Sequence, residues 1–188
     1  MVKANSRIDI RSLTTAALIT SAAIIIHTVE SMLPPLIPGI PVKLGLANVF
    51  TLLALISLGA PYAAAVAVLR CLVGSLISGA VSQLPYSLCG AILSFLFMLA
   101  ADHFRKRGSI SAVGQSVLGS FAFNLGQLAV GIVIVGKAMF YYFPVMSLLS
   151  IPTGIFTGLA AHYASLLLLR SSNNKTGKID DISSPPQE

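Results

Sequence analysis

Apolar residues run through this chain in long blocks, separated by short polar breaks or by breaks that carry proline and glycine. The blocks predict membrane-spanning helices near residues 13–33, 43–59, 61–79, 84–101, 110–135 and 143–169. Each approaches the roughly 20 residues that a helix needs to cross a hydrocarbon layer about 30 Å thick. Pro61, after Gly59-Ala60, and Pro85, after Ser82-Gln83, stand where proline is best tolerated, in the first turn of a new helix. Pro34, Pro35, Pro38 and Pro41 make the stretch before the second block unable to continue a helix or to pair as a regular strand. The pattern predicts an all-α fold, an integral membrane bundle of six transmembrane helices over residues 13–170. A basic arm at 1–12 precedes it, and a tail at 171–188, built of Ser, Asn, Lys, Asp and Pro, is expected to be disordered.

Composition supports this. Of 188 residues, 55% are hydrophobic and 10% charged, where soluble domains carry about 25% charged residues. The mean hydropathy of +0.87 excludes a soluble monomer, because no single core could hide that much apolar surface. Six spans at about 20 residues each also leave no room for a separate catalytic or nucleic-acid-binding domain. The net charge of +6 would suggest nucleic acid in a soluble protein, but here the positions of the charges decide. Lys3, Arg7, Arg11, Arg105, Lys106, Arg107, Arg170, Lys175 and Lys178, nine of the twelve basic residues, fall on one side of a six-span topology. The other side carries only Lys43 and Lys137. By the positive-inside rule this predicts a multi-pass protein of the cell membrane with both termini cytoplasmic and no nucleic-acid partner.

The basic start followed by Leu13 to Ile26 has the outline of a signal peptide, but no small-x-small cleavage site follows. The polar His27 and Glu30 arrive where one would be needed, so the block reads as a first span. Cys71 and Cys89 lie inside apolar blocks without a histidine cluster, which makes neither a disulfide framework nor a zinc site. His103 and His162 have no neighbours at metal-ligand spacing, so no metal is expected. Tyr141, Tyr142 and Phe143 read as an aromatic cluster at the outer membrane surface.

Small residues mark where helices approach each other in lipid. Ala63, Ala67, Cys71, Ser75 and Gly79 recur at every fourth position of the third span, and Gly154 and Gly158 do so in the sixth. Ala16 with Thr20, and Ala17 with Ser21, repeat the spacing in the first span. Each stripe is either a seam within the bundle or a docking face for a second membrane protein.

A charge at the bilayer centre costs about 3 kcal/mol on insertion scales, so an ionisable group there needs a partner, a watery cavity or a ligand. Arg70 lies roughly 14 Å along its helix from Pro61, near the midplane. It either pairs with Glu30 or helix carbonyls, or anchors an anionic or strongly polar substrate. The six-span topology puts His27, Glu30, Lys43, Asn48, Gln83, Tyr86, Ser87, Asn124 and Gln127 in the outer half of the membrane. Their shared depth predicts a pocket open to the outside and capped by the loop from Ser31 to Pro41. Arg70 and Lys43 are the expected anion contacts, with Glu30, Asn48, Tyr86, Asn124 and Gln127 as further members of the site.

The segments Pro38-Gly39-Ile40-Pro41-Val42-Lys43-Leu44-Gly45-Leu46-Ala47-Asn48, Leu58-Gly59-Ala60-Pro61, Leu69-Arg70-Cys71-Leu72-Val73-Gly74-Ser75-Leu76 and Tyr86-Ser87-Leu88-Cys89-Gly90-Ala91 carry a resemblance. Over about residues 10–170 the chain resembles a bacterial family called Gx transporters, or heptaprenyl diphosphate synthase component I. That family is similar to the substrate-binding S components of energy-coupling-factor (ECF) transporters. The resemblance implies a six-helix fold with a gating first outer loop and a vitamin-like ligand. It also implies a docking face at Ala16, Ala17, Thr20 and Ser21 for a membrane subunit driven by two ATPases. The stricter Ala-x-x-x-Ala pattern of that face is absent here.

The family's other name implies a subunit of polyprenyl diphosphate synthesis. Prenyl diphosphate synthases hold magnesium through aspartate-rich motifs on helices, because each ion needs several hard oxygen ligands. The aspartates here are Asp9, Asp102 and the adjacent Asp180-Asp181 of the tail, so no catalytic prenyltransferase is legible. The chain also carries no Walker motif and cannot hydrolyse ATP by itself. The expectation is a non-enzymatic membrane subunit without a cofactor that binds a small polar or amphipathic metabolite from outside. The alternative is a non-catalytic membrane accessory of polyprenyl or menaquinone biosynthesis.

Overall fold

The computed structural model describes residues 10–33 and 43–183, with side chains as far as Leu168. Among the described residues the regular elements are all helices: α1 (Ile10–Met32), α2 (Asn48–Ser57), α3 (Ala60–Ile77), α4 (Leu84–Lys106), α5 (Ala112–Val135) and α6 (Phe143–Ser183). Short 3-10 turns at Val81–Gln83 and Lys137–Tyr142 lead into α4 and α6. Pro61 and Pro85 fall in the first turns of α3 and α4, as their positions predicted.

Five of the six helices, all but α2, are long and apolar enough to cross a membrane. The second predicted span needs correction. At 10 residues, α2 rises only about 15 Å, roughly half the hydrocarbon thickness. Hydropathy includes the apolar residues around Lys43 in the same block, but Gly45 adopts φ +80° and the chain from Lys43 to Ala47 is not helical. The high apolar content of α2 comes from its position: it touches all five longer helices. Its Leu52, Leu53, Ala54 and Leu55 are buried in the main core with Ile19, Ala63, Val66 and Met98.

The expected boundary at residue 171 is also corrected, because α6 continues to Ser183. Adding a residue to an existing helix is much easier than nucleating one, so a polar segment can extend a helix that the membrane has already formed. The rest of the predicted tail, most of the N-terminal arm and the proline-rich loop at 34–42 lie outside the described residues.

Polarity is distributed inside out. Leu18, Ile25, Val133, Leu148, Phe156 and Leu167 are exposed on the outer faces of the helices, while Asn48, Thr51, Arg70, Ser75, Gln115 and Gln127 are buried between them. In water such a surface would be unstable; in lipid it is the arrangement that leaves polar groups facing one another.

Close helix approach accounts for most of the small-residue stripes. A Cβ on Gly126 of α5 would stand 2.7 Å from Gly90 Cα of α4, and one on Gly154 of α6 would stand 2.5 Å from Val117 Cα of α5. Ala63, Ala67, Cys71 and Ser75 are buried on α3, whereas Gly79, at φ +67°, lies beyond the helix end. These stripes are seams within the bundle. On α1, at the edge of the bundle against α3 and α2, the proposed docking residues divide. Ala16 is buried, Thr20 is half-buried and bonds the Ala16 carbonyl, and Ala17 and Ser21 face outward.

Candidate polar site between the first, second, third and fifth helices

His27, Glu30 and Ser31 are spaced i, i+3, i+4, which puts them on one face of α1 where it meets α3. His27 lies over Gly74 of α3, where an added Cβ would stand 2.6 Å from the imidazole. The non-helical strap from Lys43 to Ala47 crosses this face. Lys43 Nζ donates to Ser31 Oγ at 2.6 Å and lies 3.2 Å from His27 Nε2. Glu30 Oε1 accepts from Gly45 N at 2.5 Å and Leu46 N at 3.4 Å.

Gln127 of α5 closes the strap from the other side. Its Oε1 accepts from Lys43 N at 2.8 Å, and its Nε2 donates to Lys43 O at 3.0 Å. Backbone outside a regular element cannot remain unbonded in hydrocarbon, and here side chains take the role that a helix or sheet would otherwise fill. Gly45 has little alternative at this point. Its positive φ is the conformation that glycine adopts freely, and a Cβ would meet Asn48 Nδ2 and the Phe123 ring at 2.9 Å each.

Beneath the strap, Arg70 of α3 donates through Nη2 to Asn48 Oδ1 at 2.5 Å, joining α3 to the start of α2. Arg70 Nε and Asn48 Nδ2 are buried and have no hydrogen-bond partner among the described residues. No ion pair links Arg70 to Glu30 among the described residues; the ion pairs there run from Asp102 to Arg105 and Lys106 at the far end of α4. Of the alternatives left open for Arg70, pairing with Glu30 is not the one seen: Arg70 makes a charge-to-amide contact with Asn48, and the Glu30 carboxylate holds the strap.

The sequence-predicted residues separate accordingly. Glu30, Lys43, Asn48, Arg70 and Gln127 converge on the strap and the layer beneath it. Asn124 is engaged elsewhere, donating to the Met146 carbonyl of α6 at 2.7 Å. Tyr86 is buried in the first turn of α4 without a hydrogen bond to Lys43, Asn48 or Arg70 among the described residues. All of these side chains are at most 7% exposed, and most of the loop expected to cap the pocket lies outside the described residues. A groove of about 540 Å³ lies apart from them, lined by Ile132, Lys137, Ala138, Phe140 and Tyr141.

Ser31 and the backbone of Gly45 and Leu46 also belong to the site, although hydropathy and depth did not point to them. The i, i+3, i+4 spacing of His27, Glu30 and Ser31 was a usable signal for the first. Nothing local marks Gly45 N–H as the partner of a carboxylate on α1.

Among known families, a model described as heptaprenyl diphosphate synthase component I aligns with residues 19–164. No curated protein and no solved structure matches the chain.

Proposed function

The chain belongs to the heptaprenyl diphosphate synthase component I family, and on that premise we propose that it is a membrane-embedded substrate-binding subunit of a transporter, of the S-component type. It takes a small polar or amphipathic metabolite from outside the cell and releases it to the cytoplasm. It works in the plasma membrane with both termini inside, and is not itself an enzyme. The observation that carries this reading is Arg70, buried within α3 with one amide contact and an unpartnered Nε among the described residues. An intramembrane arginine held this way costs several kcal/mol unless a ligand completes it, and structural needs alone would be met as well by an apolar residue.

In this reading the strap is the gate. Opening it separates Lys43 from Gln127 and Gly45 from Glu30 and gives access from the outer surface to Arg70. Energy comes from a partner membrane subunit with ATPases, or from an ion gradient. The exposed Ala17 and Ser21 on the edge helix support the partner.

Native mass spectrometry of the detergent-purified chain tests this. A stoichiometric metabolite retained by the wild type and lost from Arg70→Ala is the expected result. A wild-type protein that retains nothing under conditions that preserve its fold would end the binding reading. The family's own description favours a second reading, an accessory subunit of polyprenyl diphosphate synthesis. An empty chain that co-purifies with a prenyl synthase would put that reading first.

A further inference from the structure

We infer that the site beneath the strap takes a monoanion, a small molecule bearing a single carboxylate, which is held by Arg70 Nε and Asn48 Nδ2. This rests on the binding role proposed above and adds the chemical class of the ligand.

Donor and acceptor inventory leads to this class. The Nε–Nη2 edge of an arginine is the fork that usually takes a carboxylate. In Arg70 that edge is divided, because Nη2 donates to Asn48 Oδ1 while Nε has no partner among the described residues. Asn48 is divided in the complementary way, its Oδ1 engaged and its Nδ2 unpartnered. Arg70 is 1% exposed and Asn48 0% exposed, so water at the surface satisfies neither atom. Both open atoms are donors, and they flank one hydrogen bond. A group that satisfies them must present acceptors only, which a carboxylate does with two oxygens and an ammonium or alkyl group cannot.

The charges give the valence. Lys43 lies on the strap that Glu30 holds, and Arg70 lies in the layer beneath it, bonded to Asn48. An imidazole nitrogen that accepts from an ammonium is unprotonated, so His27, facing Lys43 Nζ through Nε2, adds no charge. Glu30, which accepts two backbone N–H groups, balances one of the two cations. One positive charge is left uncompensated in the layer that holds Arg70. A single carboxylate neutralises it, whereas a diphosphate would bring an excess of negative charge into the same low-dielectric layer, with Lys43 already held by Ser31 and His27.

The test uses the purified full-length chain in detergent and follows thermal unfolding with defined probes: hexanoate and benzoate, each against its neutral amide, and inorganic pyrophosphate. Both acids should raise the unfolding midpoint, and the amides and pyrophosphate should not. Asn48→Asp keeps an oxygen for Arg70 and replaces the open donor with a negatively charged acceptor. It should fold and respond to the acids with about tenfold or greater loss of apparent affinity. The assignment is overturned if the amides act as well as the acids, if pyrophosphate acts and the acids do not, or if folded Asn48→Asp responds as the wild type does. Absence of any shift also overturns it. The binding role then stands or falls separately, on the metabolite retained in native mass spectrometry.

Discussion

Gln127 on α5 holds the backbone of Lys43 from both directions, accepting from its N–H at 2.8 Å and donating to its carbonyl at 3.0 Å. A primary amide is the side chain that can do both at once. Gln127→Leu removes both bonds and leaves a donor and an acceptor buried, each costing about 1–3 kcal/mol. The variant should unfold at a lower temperature, and hydrogen exchange at residues 43–47 should rise while exchange in α3 and α4 changes little. Gln127→Glu, which accepts but cannot donate, should fall between the two. Unaltered exchange in the leucine variant would show that the strap does not depend on this clasp.

Gly45→Ala combines two penalties. The left-handed backbone costs a residue with a side chain about 1–2 kcal/mol, and the new methyl group meets Asn48 and the Phe123 ring at 2.9 Å. The strap should be displaced, and Glu30 should no longer reach the Gly45 N–H. Thermal stability should fall more than in Gly79→Ala, where the positive φ is similar but no atom lies within 4 Å. Equal destabilisation of the two variants would mean that the close approach at Gly45 carries no weight.

Arg70→Met separates stability from function. Replacing a buried charge by an apolar group of similar volume is often neutral or stabilising by about 1–4 kcal/mol, although Asn48 Oδ1 then loses its donor. The expected outcome is a folded protein with an unfolding midpoint at or above that of the wild type and no retained metabolite. A variant that still retains the wild-type metabolite would remove Arg70 from the site.

On α1 the two halves of the small-residue pair should respond differently. Ala16→Leu forces bulk into the bundle, and overpacking of this kind costs about 1–3 kcal/mol. Ala17→Leu points away from the bundle and should leave unfolding unchanged while weakening recovery of a partner subunit in a pull-down from native membranes. Identical behaviour of the two variants would refute the division of this face.

The fold was legible where local chemistry alone determines it. Pro61 and Pro85 start helices because their missing N–H groups are unneeded there, and long apolar blocks become helices because lipid offers the backbone no other partner. Gly154 could be read as a seam because only a missing Cβ lets α6 approach the Val117 backbone so closely. The length of α2 was not legible. Hydropathy cannot tell a strap of apolar residues from a helix when the strap's hydrogen bonds come from Glu30 and Gln127 elsewhere in the chain. The site was half legible for the same reason. Arg70, Lys43 and Gln127 are conspicuous as polar residues in apolar blocks, but whether Arg70 faces Glu30 or Asn48, and that Asn124 serves Met146, depends on how the helices turn toward one another.

The strap also constrains how the protein is made. A helix can leave the insertion machinery for lipid as soon as it is synthesised, because its hydrogen bonds are its own. Residues 43–47 cannot, since Gln127, which pairs with Lys43, is synthesised 84 residues later. Until α5 emerges, only α1 supplies this stretch with side-chain hydrogen-bond partners, and α2 is too short to hold it across the bilayer. Biogenesis should therefore run out of chain order, with α3, α4 and α5 embedded first and the second helix drawn into their midst as the last step.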